Sequence, residues 1–178
     1  MADDQWLLRG RCYKLGHDVP HPDGVIPQRF IIARCFDPAE LIPHLFEKTD
    51  PGFHARAKAG DIIVAGRNFG MGPKMNGYIA MRALGLGLVC ESMPYLAYRA
   101  AIGEGLKVMT DCPAATEICE TGDDLEVDFR NGFFINHTRD IRREYPPVPD
   151  ALLELVERGG NIGWLKHWAA TGREQSSD

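Results

Sequence analysis

A chain of 178 residues with ordinary charged and apolar fractions is long enough for one domain, and no linker or repeat divides it. The formal net charge of −5 argues against nucleic acid or an anionic membrane surface as the main partner. No apolar run reaches transmembrane length, and the acidic start at 1–6 lacks the basic and apolar regions of a signal peptide, so the sequence predicts a cytoplasmic protein.

The predicted elements alternate between strands and helices. Hydrophobic periodicity and turn residues predict strands over 6–15, 62–65, 86–90, 106–109, 125–129 and 132–136, and a short apolar run over 30–33. They predict helices that begin after Asp37 and near Gly77, and others over 95–103, 151–158 and 162–170. The expected single domain spans residues 1–178, with its core over about 6–170 and a disordered polar tail over 172–178.

The cysteines and histidines follow no pattern of a metal site. The five cysteines include no C-x-x-C pair, which favours free thiols and predicts no metal or iron–sulfur site within this chain. His17 and His21 lie in a segment too rich in proline and glycine for a helix. Both are therefore expected to be surface turn residues rather than a pair of metal ligands.

The most informative stretch is 61–91, D-I-I-V-A-G-R-N-F-G-M-G-P-K-M-N-G-Y-I-A-M-R-A-L-G-L-G-L-V-C-E. An apolar run, a glycine-rich turn and a helical pattern predict a βαβ unit with an overlong loop between its first strand and its helix. Such loops often hold anions, because glycines let the backbone approach a ligand and a helix start offers free N–H groups. The order G-M-G-P-K-M fits neither the dinucleotide fingerprint nor the P-loop, which disfavours nucleotide binding.

The order of elements resembles the small subunit of isopropylmalate isomerase, the swivelling domain of the aconitase superfamily. The resemblance spans about residues 8–164 and is carried by V-I-P-Q-R-F at 25–30, G-D-I-I-V-A-G-R-N-F-G at 60–70, L-G-L-V-C-E-S at 86–92, D-L-E-V-D at 124–128 and G-G at 159–160. It implies an α/β fold with one swivelling β/β/α domain. It also implies a separate large subunit with a [4Fe–4S] cluster, and reversible dehydration of a hydroxy di- or tricarboxylic acid to which the small subunit brings a base.

This chain departs from that family within the glycine-rich loop. After N-F-G the family reads C-G-S-S-R-E-H, whereas this chain reads M-G-P-K-M-N-G over 71–77. The two serine positions and the carboxylate-binding arginine position therefore carry Pro73, Lys74 and Met75. The glutamate and histidine positions carry Asn76 and Gly77. Because proline has no side-chain proton acceptor, serine-alkoxide chemistry does not carry over.

Three interpretations of this departure stay open. In the first, Lys74 is a base with a pKa lowered by desolvation, or it stays charged and holds a carboxylate or phosphate, while Tyr78 assists as donor or base. In the second, the substrate acid carries a different group and the large subunit supplies the base. In the third, the chain is a non-catalytic structural or regulatory partner, or an anion-binding module. We adopt a hydro-lyase subunit that acts on a hydroxy carboxylic acid, with Lys74 and Tyr78 as the catalytic candidates.

The predicted substrate-binding residues surround Lys74 or flank the apolar run at 30–33. Arg29 and Arg34 flank the apolar run at 30–33, where the family's loop helps to set substrate selectivity, and either guanidinium suits bidentate carboxylate binding. The other predicted binding residues are Arg67, Asn68, Gly70, Met71, Gly72, Pro73, Met75 and Asn76. On the last predicted helix, Trp164, Leu165 and Trp168 are expected to pack within the chain or against the large subunit.

Overall fold

The computed structural model describes residues 4–72 and 76–171, and its centre is a seven-stranded mixed sheet. The strands are β1 Leu7–Lys14, β2 Ile62–Ala65, β3 Gly87–Cys90, β4 Lys107–Met109, β5 Asp124–Asp128, β6 Phe133–Asn136 and β7 Ile141–Glu144. Their order across the sheet is β4-β3-β2-β1-β5-β6-β7. Strands β4 to β1 pair in parallel and β1, β5, β6 and β7 pair antiparallel, so β1 joins the two halves.

Helices connect the parallel strands and close the chain. They are α1 Gln28–Ile32, α2 Pro38–Leu41, α3 Phe53–Arg56, α4 Gly77–Ala83, α5 Tyr95–Gly103, α6 Asp150–Glu157 and α7 Gly160–Thr171. Short 3₁₀ turns cover Asp4–Trp6, Ile42–His44 and Ala115–Glu117, and a wider turn covers His21–Val25. None of the helices in the described ranges is long and apolar enough to cross a membrane.

The start of α2 follows directly from its sequence. The carboxylate of Asp37 accepts a hydrogen bond from the N–H of Ala39 at 2.9 Å, as an N-cap residue does. Pro38 occupies the first helical position, where its missing N–H costs nothing. The helix ends at Leu41, and a 3₁₀ turn that contains Pro43 follows it.

The two halves of the sheet are buried differently. All residues of β2 and β3 are buried, as expected for parallel strands that are covered on both faces. In β5, buried Leu125 and Val127 alternate with more exposed neighbours, so one face of the antiparallel half packs on the core. A Cβ on Gly87 would lie 2.6 Å from Cζ of Phe129, so glycine in β3 leaves the room that this ring fills.

The six predicted strands are confirmed, with shifts of one or two residues at their ends, and so are the predicted helices. A turn over 130–132 connects β5 to β6 as a hairpin. The structure differs in two places: the apolar run at 30–33 overlaps the short helix α1, and β7 has no counterpart among the predicted elements. The predicted disordered tail lies outside the described residues.

Candidate functional site

The candidate site lies where the chain leaves the carboxyl ends of β1 and β2. There the first loop, residues 16–21, runs beside the glycine-rich loop, residues 66–71. Backbone hydrogen bonds join Gly66 N–H to Gly16 O (3.1 Å), Asp18 N–H to Arg67 O (2.8 Å), Gly70 N–H to Val19 O (2.8 Å) and His21 N–H to Met71 O (2.8 Å). These contacts extend the β1–β2 pairing beyond both strands. The crevice outside the carboxyl ends of parallel strands is where open α/β sheets bind ligands.

Asn68 fixes the turn of the glycine-rich loop. Its backbone has a φ of 59°, in the left-handed region that asparagine tolerates better than most residues. Its side-chain amide donates to Oδ1 of Asp18 at 2.9 Å, and its backbone N–H donates to Oγ of Ser92 at 2.9 Å. Asp18, Asn68 and Ser92 lie in the segments that follow β1, β2 and β3, so the segments after three neighbouring strands meet at Asn68.

Two histidines of the first loop each pack over a glycine of the second. Nδ1 of His17 accepts the N–H of Arg67 at 2.9 Å, and a Cβ on Gly66 would lie 2.2 Å from that nitrogen. Nε2 of His21 accepts the N–H of Gly77 at 3.0 Å, at the start of α4. Each glycine therefore leaves room for an imidazole that binds the backbone beside it.

The prediction of a surface position is wrong for His21, whose side chain is fully buried. Burial without a neighbouring countercharge lowers the pKa of His21 to about 3, so the imidazole is neutral near pH 7. The sequence around His21 carries no signal of this burial. The glycine at position 77 could have suggested it, since a helix start without a side chain leaves a cavity that another group must fill.

Tyr78, a predicted catalytic residue, lies inside the protein. Its side chain is fully buried, and burial raises the pKa of its hydroxyl far above the usual value. The hydroxyl lies against Gly70, where a Cβ would stand 2.1 Å from the oxygen. It has no hydrogen-bond partner among the described residues. A group in this position contributes packing and is poorly placed to exchange protons with a bound acid.

Tyr78→Phe is therefore expected to leave kcat within about threefold of wild type, whereas loss of an acid–base group costs about 10²–10⁴-fold. The free energy of unfolding should stay equal or rise by up to about 1 kcal/mol, because the variant no longer buries a hydroxyl that has no partner in the described ranges. Steady-state turnover and urea denaturation test both values. A hundredfold fall in kcat with unchanged stability would restore Tyr78 as a catalytic group.

Asn76 ties the start of α4 to the segment around α1, residues 30–35. Its amide nitrogen donates to the carbonyl of Cys35 at 2.8 Å and approaches that of Phe30 at 3.4 Å. Its amide oxygen is buried without a partner among the described residues. The predicted binding residue Asn76 thus connects α4 with the segment that carries Arg34.

The three predicted arginines lie in different surroundings. Arg29 pairs with the carboxylate of Glu47 at 2.8 Å and is therefore already neutralised. Arg34 and Arg67 are exposed and make no side-chain ion pair or hydrogen bond within 4–72 and 76–171. Beside Arg34, the side chains of Ile32 and Phe36 are 73% and 64% exposed. Of the three predicted arginines, Arg34 and Arg67 are consequently the ones that remain available to an anionic ligand, as judged from the described residues.

Three predicted residues, Pro73, Lys74 and Met75, lie outside the described residues. The chain on their amino-terminal side ends at Gly72, where φ is 119° and a Cβ would lie 2.7 Å from Cδ of Pro22. Gly70, Met71 and Gly72 therefore contribute backbone to the site, pressed against the first loop.

The cysteines do not form a site in this structure. Cys12, Cys90, Cys112 and Cys119 are buried free thiols, and Cys35 is half-buried. The described part of the chain contains no group of three or more histidine, cysteine, aspartate or glutamate side chains that could hold a metal ion.

Comparison with known proteins supplies the family. No protein-family model matches the chain. It is 35% identical over 162 residues to 3-isopropylmalate dehydratase small subunit 1 of Methanopyrus kandleri, covering 90% of this chain and 93% of that protein. It is 37% identical over 161 residues to 3-isopropylmalate dehydratase small subunit 1 of Archaeoglobus fulgidus, covering 88% and 96%.

The fold agrees with that of a solved structure that is also named 3-isopropylmalate dehydratase. The crystal structure of 3-isopropylmalate dehydratase (LeuD) from Methanocaldococcus jannaschii matches with a TM-score of 0.84 and 28% sequence identity, over 96% of this chain and 99% of that chain. The predicted α/β fold of the aconitase small-subunit type is thereby confirmed. The chain belongs to the family of 3-isopropylmalate dehydratase small subunits.

Proposed function

We propose that the chain is the small subunit of an aconitase-type hydro-lyase, which dehydrates a hydroxy carboxylic acid together with a large subunit. One observation carries the proposal: the similarity to 3-isopropylmalate dehydratase small subunits covers about nine-tenths of the chain. The glycine-rich loop, our candidate catalytic loop, leaves the carboxyl end of β2, which is where open α/β sheets bind ligands. The name "small subunit" of the relatives implies a larger partner. We place the complex in the cytoplasm, without nucleic acid or membrane as a partner.

The partner would supply the chemistry that this chain lacks. A [4Fe–4S] cluster on the large subunit, when bound, would act as a Lewis acid toward the leaving hydroxyl. On this chain, Lys74 is the candidate base that removes a proton from the substrate carbon next to the one that carries the leaving hydroxyl. Alternatively, its ammonium group holds a carboxylate of the substrate.

The carboxylate clamp must differ from that of the family pattern. Met75 stands where the pattern has arginine, and a thioether cannot bind a carboxylate by charge. Arg34 and Arg67 are exposed and make no ion pair with the residues that the structure describes, so they are the best candidates to replace it. We therefore propose a small carboxylic acid as the substrate, with a shape that differs from isopropylmalate near this clamp.

The test is anaerobic reconstitution with the aconitase-type large subunit encoded nearest to this chain. Hydroxy di- and tricarboxylic acids are screened by the ultraviolet absorbance of the unsaturated product, with each subunit alone as the control. Turnover that requires both chains supports the proposal. A tight complex without turnover on any acid would overturn it and favour a non-catalytic partner.

A further inference from the structure

His21 lies beneath the start of α4 and is the only fully buried histidine among the described residues. The N–H of Gly77, which it binds, belongs to the first turn of the helix, where backbone donors have no carbonyl partner within the helix. The edge of the imidazole packs on Tyr78, with ring centroids 4.8 Å apart. His21 therefore satisfies a buried donor that would otherwise be unpaired.

The glycine at position 77 is what admits the imidazole. A Cβ there would lie 3.1 Å from Cε1 and Nε2 of His21 and 2.8 Å from Cγ1 of Val25, so a larger residue would displace the ring. In the family pattern, histidine stands at this position of the motif. Here the imidazole beside the helix start comes from the first loop instead, across 56 residues of sequence.

The hydrogen bond also fixes the protonation of the ring. Because Nε2 accepts from Gly77, the neutral imidazole carries its proton on Nδ1. One residue earlier, the side chain of Asn76 is held by the carbonyl of Cys35. Two neighbouring residues at the start of α4 are thus anchored to earlier parts of the chain: Gly77 through its backbone to the first loop, and Asn76 through its side chain to Cys35.

We propose that His21 is a positioning residue of the candidate site, which holds the start of α4 against the end of the first loop. This inference rests on the proposed function. His21 acts through the backbone of Gly77 and touches no substrate. Its effect should therefore appear in the rate of the chemical step rather than in substrate binding.

The kinetic test compares His21→Leu with His21→Gln in the full-length chain, reconstituted with the large subunit. Leucine has a similar volume without an acceptor, whereas glutamine offers an amide oxygen to Gly77. We expect His21→Leu to lower kcat by about ten- to a hundredfold, since small misplacements of catalytic groups cost this much, with KM within about threefold. His21→Gln should recover most of the loss, and the exposed control His54→Leu should change neither constant.

A second readout separates this inference from the proposed function. Nitrogen chemical shifts should show the Nδ1–H tautomer of His21 in the wild-type chain, and hydrogen exchange at the Gly77 amide should be slow. Exchange should quicken in His21→Leu and stay slow in His21→Gln. A wild-type Nε2–H tautomer, or fast exchange at Gly77, would overturn the anchor even if every variant failed to fold.

The kinetic outcomes are equally distinct. A folded His21→Leu variant with wild-type kcat would contradict positioning while leaving the proposed function intact. If the wild-type complex turned over no acid, the proposed function would fail, and with it the catalytic consequence of His21. The tautomer and exchange measurements would still decide whether His21 anchors the helix.

Discussion

Replacing Lys74 by alanine is expected to lower kcat/KM of the reconstituted complex by about 10²–10⁴-fold, the usual contribution of a positioned acid–base group. Residues 73–77 differ from the family pattern, and Lys74 is the residue among them whose side chain can accept a proton or hold an anion by charge. Initial rates with the best acid from the substrate screen provide the measurement. The control is Lys58→Ala, which removes an exposed lysine outside the site and should leave the rates unchanged.

Lys74→Arg distinguishes the two roles that Lys74 could have. Arginine keeps the charge but stays protonated, so it cannot act as a base. If Lys74 is the base, Lys74→Arg should be as slow as the alanine variant. If it holds a carboxylate, the arginine variant should retain kcat with a modest change in KM, while alanine raises KM. Wild-type kinetics in Lys74→Ala would show that neither role applies.

Acid is expected to destabilise the folded chain through His21. Burial lowers the pKa of His21 from 6.5 to about 3, so the unfolded chain takes up a proton as the pH falls below 6.5 while the folded chain does not. His21 therefore does not reduce the free energy of unfolding above pH 6.5. Between pH 6.5 and 3 it lowers this free energy by about 1.4 kcal/mol for each pH unit. By pH 4.5, this one group should reduce the free energy of unfolding by about 2–3 kcal/mol.

Urea denaturation at several pH values between 4.5 and 8 measures this loss. His21→Leu should be less stable than wild type near pH 8, because Gly77 loses its acceptor, but its stability should fall less steeply below pH 6.5. Carboxylates contribute equally to both curves; the hydrogen bond from Arg9, for example, lowers the pKa of Asp124. Parallel curves for the two proteins would show that His21 takes up a proton in the folded state.

Most of the fold was predictable because its signals are local. The runs at 62–65 and 86–90 are wholly buried strands, and buried parallel strands read as continuous apolar sequence. Strand β7 contains Arg142, Arg143 and Glu144, all exposed at the edge of the sheet. An edge strand needs only backbone pairing on one side, so its side chains follow no apolar alternation and periodicity could not find it.

The sequence predicts only where along the chain the candidate site lies, at the glycine-rich loop, and that position stays a prediction. The contacts of this loop depend on residues far away in sequence. His21 is buried because position 77 is glycine, and Asn76 is held by carbonyls at 30 and 35. No local pattern around His21 encodes such a pairing. The local pattern instead indicated a surface turn, which was wrong for His21.

The central place of β1 has a consequence for how the chain folds. One edge of β1 pairs with β2, whereas its other edge pairs with β5, for example Leu7 with Asp128. This second pairing can form only after most of the chain has been synthesised. Contacts between such distant residues slow folding, since the intervening segment must be ordered before they form. Until β5 is synthesised, the free edge of β1 can pair with other chains. Newly made protein should therefore be most prone to aggregate after β4 and before β5 has emerged.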